Sequence, residues 1–172
     1  MNVDTDNNCT NGAKEIQLAN GGVFVVDAAD AEMVSVYRWR LNLRGYVWTN
    51  IQKGDSQQSV LIHRMLIGVE IGSKLEVDHR DGNPLNNRRG NLRVATHREN
   101  SRNRRKEKNG RSCTSQYKGV HKRKDSGKYM VHIKLEDGLK YLGQFENEIE
   151  AARTYDNAAR LYFGEFANTN FK

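Results

Sequence analysis

Four residues within about two dozen positions have the side-chain types that phosphodiester chemistry needs. Asp78 and His79 are adjacent, Asn91 follows His79 by twelve residues, and Asn100 follows Asn91 by nine. A carboxylate and an amide oxygen are hard ligands that suit Mg²⁺, which keeps several waters and accepts phosphate oxygens at its remaining positions. An imidazole beside them can take a proton from water near neutral pH, a role worth about 10²–10⁴ in rate. A second amide could hold that ring in one tautomer. Water, metal and phosphate together describe phosphodiester hydrolysis. Polar capping of Asn-rich loops needs the same residue types, so spacing alone leaves both readings open.

The elements that would position these groups can be read from the flanking sequence. In "KLEVDHRDGNP" an apolar strand runs into the turn former Asp-Gly-Asn-Pro, and "NLRVAT" returns through a second short β segment. Thr96 and Glu99 fit a capping box, so a helix should start there. Asn100 would then sit one turn in, on the face that packs against the hairpin carrying Asp78 and His79. Asn86 and Asn87 are expected to hold the turn by side-chain to backbone bonds. Three neighbours have two readings each. Arg93 could meet Glu99 or a phosphate, His97 could face a phosphate or solvent, and His63 could pack inside or contact a backbone near the scissile bond.

Upstream, residues 14–51 alternate short β-branched and aromatic runs with Asn-Gly, Gly-Gly and Arg-Gly turns. Strands are predicted near 14–18, 22–26, 38–43 and 46–51, with a short helix over 29–36. "SVLIHRMLIG" reads as a strand running into a helical turn. This region is expected to be a small sheet that supports the hairpin downstream of it.

Beyond the hairpin, residues 98–115 hold seven basic side chains and almost no apolar ones, the composition of a solvated linker able to track a phosphate backbone. From Tyr117 three strands are predicted in "YKGVHKR", "KYMVHIKLED" and "LKYLGQF". A helix comes next, with Ala151, Ala152, Tyr155, Ala158, Ala159 and Tyr162 on one stripe and Gly164 at its end. Val131, Ile133 and Leu135 alternate with Met130, His132 and Lys134, so one face of the sheet can pack on the helix while the other stays polar. Lys118, His121, Arg123, His132, Lys134 and Tyr141 would lie on or near that polar face. Their types suit phosphates and base edges in a DNA major groove.

Charge agrees with such a partner. The chain of 172 residues carries a net charge of +7, and residues 76–172 hold 21 basic against 13 acidic side chains, while residues 1–75 hold 7 against 8. The two cysteines, Cys9 and Cys113, lack metal-binding spacing, which argues against a thiolate zinc site or a disulfide framework. No apolar run has the length of a membrane span and the N-terminus has no signal-peptide pattern. An intracellular protein that does not enter the membrane is therefore expected.

Asp78-His79, Asn91 and Asn100, with "DGN", "NN", "NLR" and the Thr96 to Asn100 segment between and around them, resemble the HNH endonuclease motif. The resemblance is to the phage-type homing endonucleases whose third motif position is Asn. It implies that His79 is the general base and that Asp78 and Asn100 bind one divalent cation, Mg²⁺ or Mn²⁺. It further implies that Asn91 braces the loop and orients His79. Residues 116–171 resemble the plant ethylene-response-factor (APETALA-type) DNA-binding domain, which reads duplex DNA through its sheet. Arg and Trp dominate the reading positions of that family, and here Lys118, His121, Arg123, His132, Lys134 and Tyr141 fall on them. Lys is a point charge without the bidentate fork of Arg, so the plant target sequence is not carried over.

Together these readings predict an α+β chain. Its parts are a disordered tail (1–13), an N-terminal antiparallel sheet leading into a ββα-metal HNH unit (14–103, core 75–103), a basic linker (104–115) and a C-terminal three-stranded antiparallel sheet on one helix (116–172). The expected activity is metal-dependent, homing-type cutting of double-stranded DNA. The nuclease would be a monomer in the cytoplasm of a bacterial or phage-infected cell, associated with the nucleoid. Arg102, Arg104 and Arg105 join the C-terminal residues as expected DNA contacts. Two alternatives stay open: a DNA-binding regulator with an idle nuclease motif, and an RNA-directed protein, because basic linkers do not tell RNA from DNA.

Overall fold

Alternating β-branched residues and glycine turns give two small antiparallel sheets ahead of the motif. The computed structural model describes residues 12–103 and 114–171. β1 (Ala13–Gln17) pairs with β2 (Val23–Asp27), and after a 3-10 turn (Ala28–Asp30) comes α1 (Ala31–Ser35). β3 (Arg40–Leu41), β4 (Val47–Lys53) and β5 (Ser56–Leu61) form the second sheet, in that order. β5 runs directly into α2 (Ile62–Ile67), which Gly68 ends in the left-handed conformation, at φ 74°. β6 (Glu76–His79) and β7 (Leu92–Ala95) form the motif hairpin, and α3 (His97–Asn103) comes after it.

By its contacts the chain divides into two units, Met1–Thr96 and His97–Lys172. In the first unit Phe24, Val26, Val34, Trp39, Val47, Ile62 and Leu66 form a core that includes Val77 and Leu92 of the hairpin. Burying each such side chain contributes about 1.5–3 kcal/mol, so the strands bearing Asp78 and His79 are anchored by their apolar neighbours. The N-terminal sheet also grips the loop between β6 and β7. Val25 N donates to Leu85 O, and Asn87 N donates to Val25 O, each at 2.8 Å. Arg88 Nε reaches Asp27 at 2.8 Å, while Arg89 forms a fork on Asp30, at 2.8 and 2.7 Å. The supporting role expected of this sheet has these bonds as its substance.

The second unit begins with α3, which makes residues 98–103 of the basic stretch helical. β8 (Val120–Lys122), β9 (Tyr129–Lys134) and β10 (Leu139–Phe145) form an antiparallel sheet in the order β10-β9-β8, with a register shift between Tyr141 and Gly143. α4 (Glu148–Phe163) starts at Asn147, whose Oδ1 accepts from the N–H groups of Ile149 and Glu150. Val120, Val131 and Ile133 pack on Ala151, Ala152, Tyr155, Ala159 and Phe163. Tyr162 is not part of this stripe: it is 40% exposed, and its hydroxyl accepts from Lys140 Nζ at 2.7 Å. A phenol keeps its oxygen at the wet edge, and the wholly apolar Phe163 takes the inner place. Alanines on α4 and Gly119 before β8 let the layers approach closely. A Cβ on Gly119 would lie 1.9 Å from Tyr155 Cδ2. Among the described residues no helix is long and apolar enough to cross a membrane.

Candidate functional site

His79 ends β6, opposite Leu92, and is 5% exposed. Its Nε2 lies 3.2 Å from Oδ1 of Asn87, a residue with no exposed surface. The amide of Asn87 is held one way round, because its Nδ2 donates to Pro84 O at 3.0 Å. Oδ1 therefore faces the ring, Nε2 carries the proton that it accepts, and Nδ1 is the basic nitrogen. The His63 ring meets His79 edge-on at 5.2 Å and the Tyr46 ring at 5.4 Å. Burial lowers the His79 pKa, against the opposing pull of the Asn87 bond and of the Asp81 and Asp78 charges, so the ring is neutral at pH 7. His63 is pushed down to about 3, first by burial and then by the charges of His79 and Arg64. Its Nδ1 is buried with no hydrogen-bond partner among the described residues.

Asp78 stands beside His79 on the same strand and opposite Arg93 on β7. Arg93 Nε and Nη2 both donate to Asp78 Oδ2, at 2.9 and 2.6 Å, in a buried ion pair. Asn91 holds the turn. Its Nδ2 donates to Asp81 Oδ1 at 2.9 Å and to Asn86 O at 2.7 Å, and its Oδ1 accepts from Asp81 N at 3.1 Å. Burial would raise the Asp81 pKa, but bonds from Asn83 N–H, Asn86 and Asn91 together bring it below the usual range. Loop bracing is thus the work of Asn91, while the amide that meets the His79 ring belongs to Asn87, eight residues beyond it. Asn87 holds the turn by the side-chain to backbone bond expected of it, to Pro84 O, while the Asn86 side chain donates to the Asp81 carboxylate and not to backbone. Nothing in the motif spacing singled out Asn87. Its place comes from its backbone bond to β2.

Asp78, His79 and Asn91 share one hairpin and its loop, and Asn100 stands on α3 in the second unit. His97 opens α3 and is exposed. On the C-terminal sheet His132 pairs with Tyr141, with ring centroids 5.3 Å apart, and the His121 ring lies 6.2 Å from that of His132. Lys134 is the last residue of β9, exposed. Arg123, just after β8, is tied to Asp125. Lys118 is only partly exposed and its Nζ donates to Arg102 O at 2.5 Å, with burial lowering its pKa to about 8. The Arg102 guanidinium lies 4.7 Å over the Phe163 ring. Arg104, Arg105, Cys9 and Cys113 lie outside the described residues.

A divalent cation fits the chemistry of the donors. Among the described residues no group of three or more His, Cys, Asp or Glu could hold a metal, so there is no all-protein cage of that kind. Carboxylate and amide oxygens are hard donors of the kind that a divalent cation accepts alongside water and phosphate oxygens.

Residues 60–102 match the HNH endonuclease family. The chain is 34% identical over 151 residues to an uncharacterized HNH endonuclease of Acanthamoeba polyphaga mimivirus, which covers 87% of this chain and 75% of that protein. Over 68 residues it is 40% identical to an AP2-like ethylene-responsive transcription factor of Arabidopsis thaliana, a match that spans 34% of this chain and 12% of that protein.

Proposed function

The chain belongs to the HNH endonuclease family and is a nuclease, and from that premise we propose that it hydrolyses phosphodiester bonds of double-stranded DNA with His79 as general base. The observation that carries this reading is the neutral, buried His79 ring, pinned by Asn87 and standing next to a carboxylate on the same strand. Nδ1 takes the proton of the attacking water. Asn87 keeps that nitrogen unprotonated before the step and stabilises the protonated ring after it. Asn91 holds the turn that presents the ring. Asp78 and Asn100 would hold one Mg²⁺ or Mn²⁺, and that ion would supply charge stabilisation for the phosphate and the departing 3′ oxygen.

The C-terminal unit supplies affinity and register through His121, His132, Lys134 and Tyr141, with Arg123 and the basic stretch on the phosphates. In this reading the enzyme is site-directed, as the resemblance to homing endonucleases implies, and acts as a monomer with one active site, because two different DNA-contacting modules need no two-fold partner. A plasmid incubated with the protein and Mg²⁺ or Mn²⁺ tests the reading. Nicked or linear product that chelator abolishes and Asp78→Ala removes is expected. Intact supercoiled DNA with either metal, together with tight duplex binding, would leave a DNA-binding regulator with an idle motif.

A further inference from the structure

α3 has seven residues. Isolated helices shorter than about 12–15 residues are marginal in water, so the position of α3 depends on what it packs against. In the second unit its last carbonyls, which no helical N–H can reach, are taken by two side chains. Lys118 Nζ donates to Arg102 O at 2.5 Å, and Asn168 Nδ2 donates to Asn103 O at 2.6 Å. A cation at this end also complements the helix dipole. The Arg102 guanidinium covers the Phe163 ring, and Arg98 and Arg102 both face Glu136.

These anchors are themselves held. Lys118 N donates to Asn170 Oδ1 at 2.6 Å, and Asn170 Nδ2 returns a bond to Lys118 O at 3.2 Å. Asn170 is fixed in turn by Asp156, which is 1% exposed and accepts from both the backbone and the side chain of Asn170. The buried carboxylate of α4 thus fixes the C-terminal segment, that segment fixes Lys118, and Lys118 reaches the end of α3.

We propose that Lys118 and Asn168 are positioning residues that seat α3, so that the fold of the C-terminal unit fixes the helix that carries Asn100. This rests on the reading of Asn100 as a metal ligand. It gives Lys118 a different task from the phosphate contact that its position in the sequence suggests. It also couples the two activities: the fold that binds DNA holds the helix bearing the third motif residue.

The test uses the full chain and two variants, Lys118→Met, which keeps an unbranched stem without the charge, and Asn168→Ala, which removes the second bond. Hydrogen exchange of the peptide spanning residues 97–103 should speed up about tenfold in Lys118→Met, the scale of one lost charge-assisted bond, and about threefold in Asn168→Ala, the scale of a neutral one. Mn²⁺ affinity, read by EPR of the free ion, should fall by about tenfold. The affinity for a mixed-sequence duplex and its salt dependence should remain those of the parent, while the cutting rate at saturating DNA falls. Parent exchange and parent Mn²⁺ affinity in both variants would overturn the proposal. So would a salt slope for Lys118→Met reduced by about 0.9, the signature of one lost phosphate contact. Exchange and salt slope need no cutting, so an inactive parent would remove the nuclease reading while these measurements still decide the seat of α3.

Discussion

Arg93 and Asp78 stand opposite each other in the β6–β7 register, and Asp78 Oδ2 accepts from both Nε and Nη2 of Arg93. Each side chain is 6% exposed. The carboxylate beside His79 is therefore compensated inside the fold.

Removing one partner of such a pair leaves a buried charge alone. Arg93→Met should lower stability by about 3–5 kcal/mol, and the double variant Asp78→Asn with Arg93→Met should recover much of that loss. Urea unfolding of the four proteins measures it. Strictly additive losses would show that the two side chains do not depend on each other.

Asn87→Ala removes the acceptor that fixes the His79 tautomer. Cutting should slow by about 10–100-fold while duplex affinity stays that of the parent. A lost buried bond should also lower stability by about 1–3 kcal/mol. Single-turnover cleavage beside a binding isotherm separates the two effects, and a parent cutting rate would remove Asn87 from the mechanism.

His63 gives the first unit an acid sensitivity with a defined sign. Its folded pKa, about 3, lies below its ordinary value of 6.5, so between those values the unfolded chain binds the extra proton. Stability is therefore present above pH 6.5 and is lost as pH falls from there toward 3, with a slope of up to about 1.4 kcal/mol per pH unit. His63→Leu should flatten that limb of a urea-midpoint profile. An unchanged slope would assign the acid sensitivity to other groups.

Gly119 combines a positive φ, 77°, with the Tyr155 ring where a Cβ would stand. Gly119→Ala should destabilise the second unit by about 2–4 kcal/mol and weaken duplex binding at elevated temperature. Thermal melting with and without DNA measures this, and an unchanged melt would mean that the ring moves aside freely.

Much of this architecture is legible in the sequence because its signals are local. Alternation and glycine turns mark β1 to β5, capping and turn residues mark β6, β7 and α3, and a 3.6-residue stripe marks α4. The stripe misplaces only its end, where Tyr162 and Phe163 are both aromatic and the difference lies in what a hydroxyl needs. The motif spacing leads to His79, Asp78 and Asn91 because hairpin and turn are continuous in the chain. Non-local partners are another matter. Spacing cannot decide what Arg93 meets, since Asp78 faces it only through the register across a twelve-residue loop. It cannot find Asn87 either, because a backbone bond from β2, about sixty residues earlier, turns that amide to the ring. Lys118 reads as a surface cation because the carbonyl it reaches belongs to a helix across the basic stretch.

The most direct test of the account is single-turnover cleavage of duplex DNA by His79→Ala, at saturating protein and with Mg²⁺ or Mn²⁺. The account predicts a loss of at least about 10²-fold in rate with duplex affinity kept. Cleavage at the parent rate would show that another group activates the water and would contradict it.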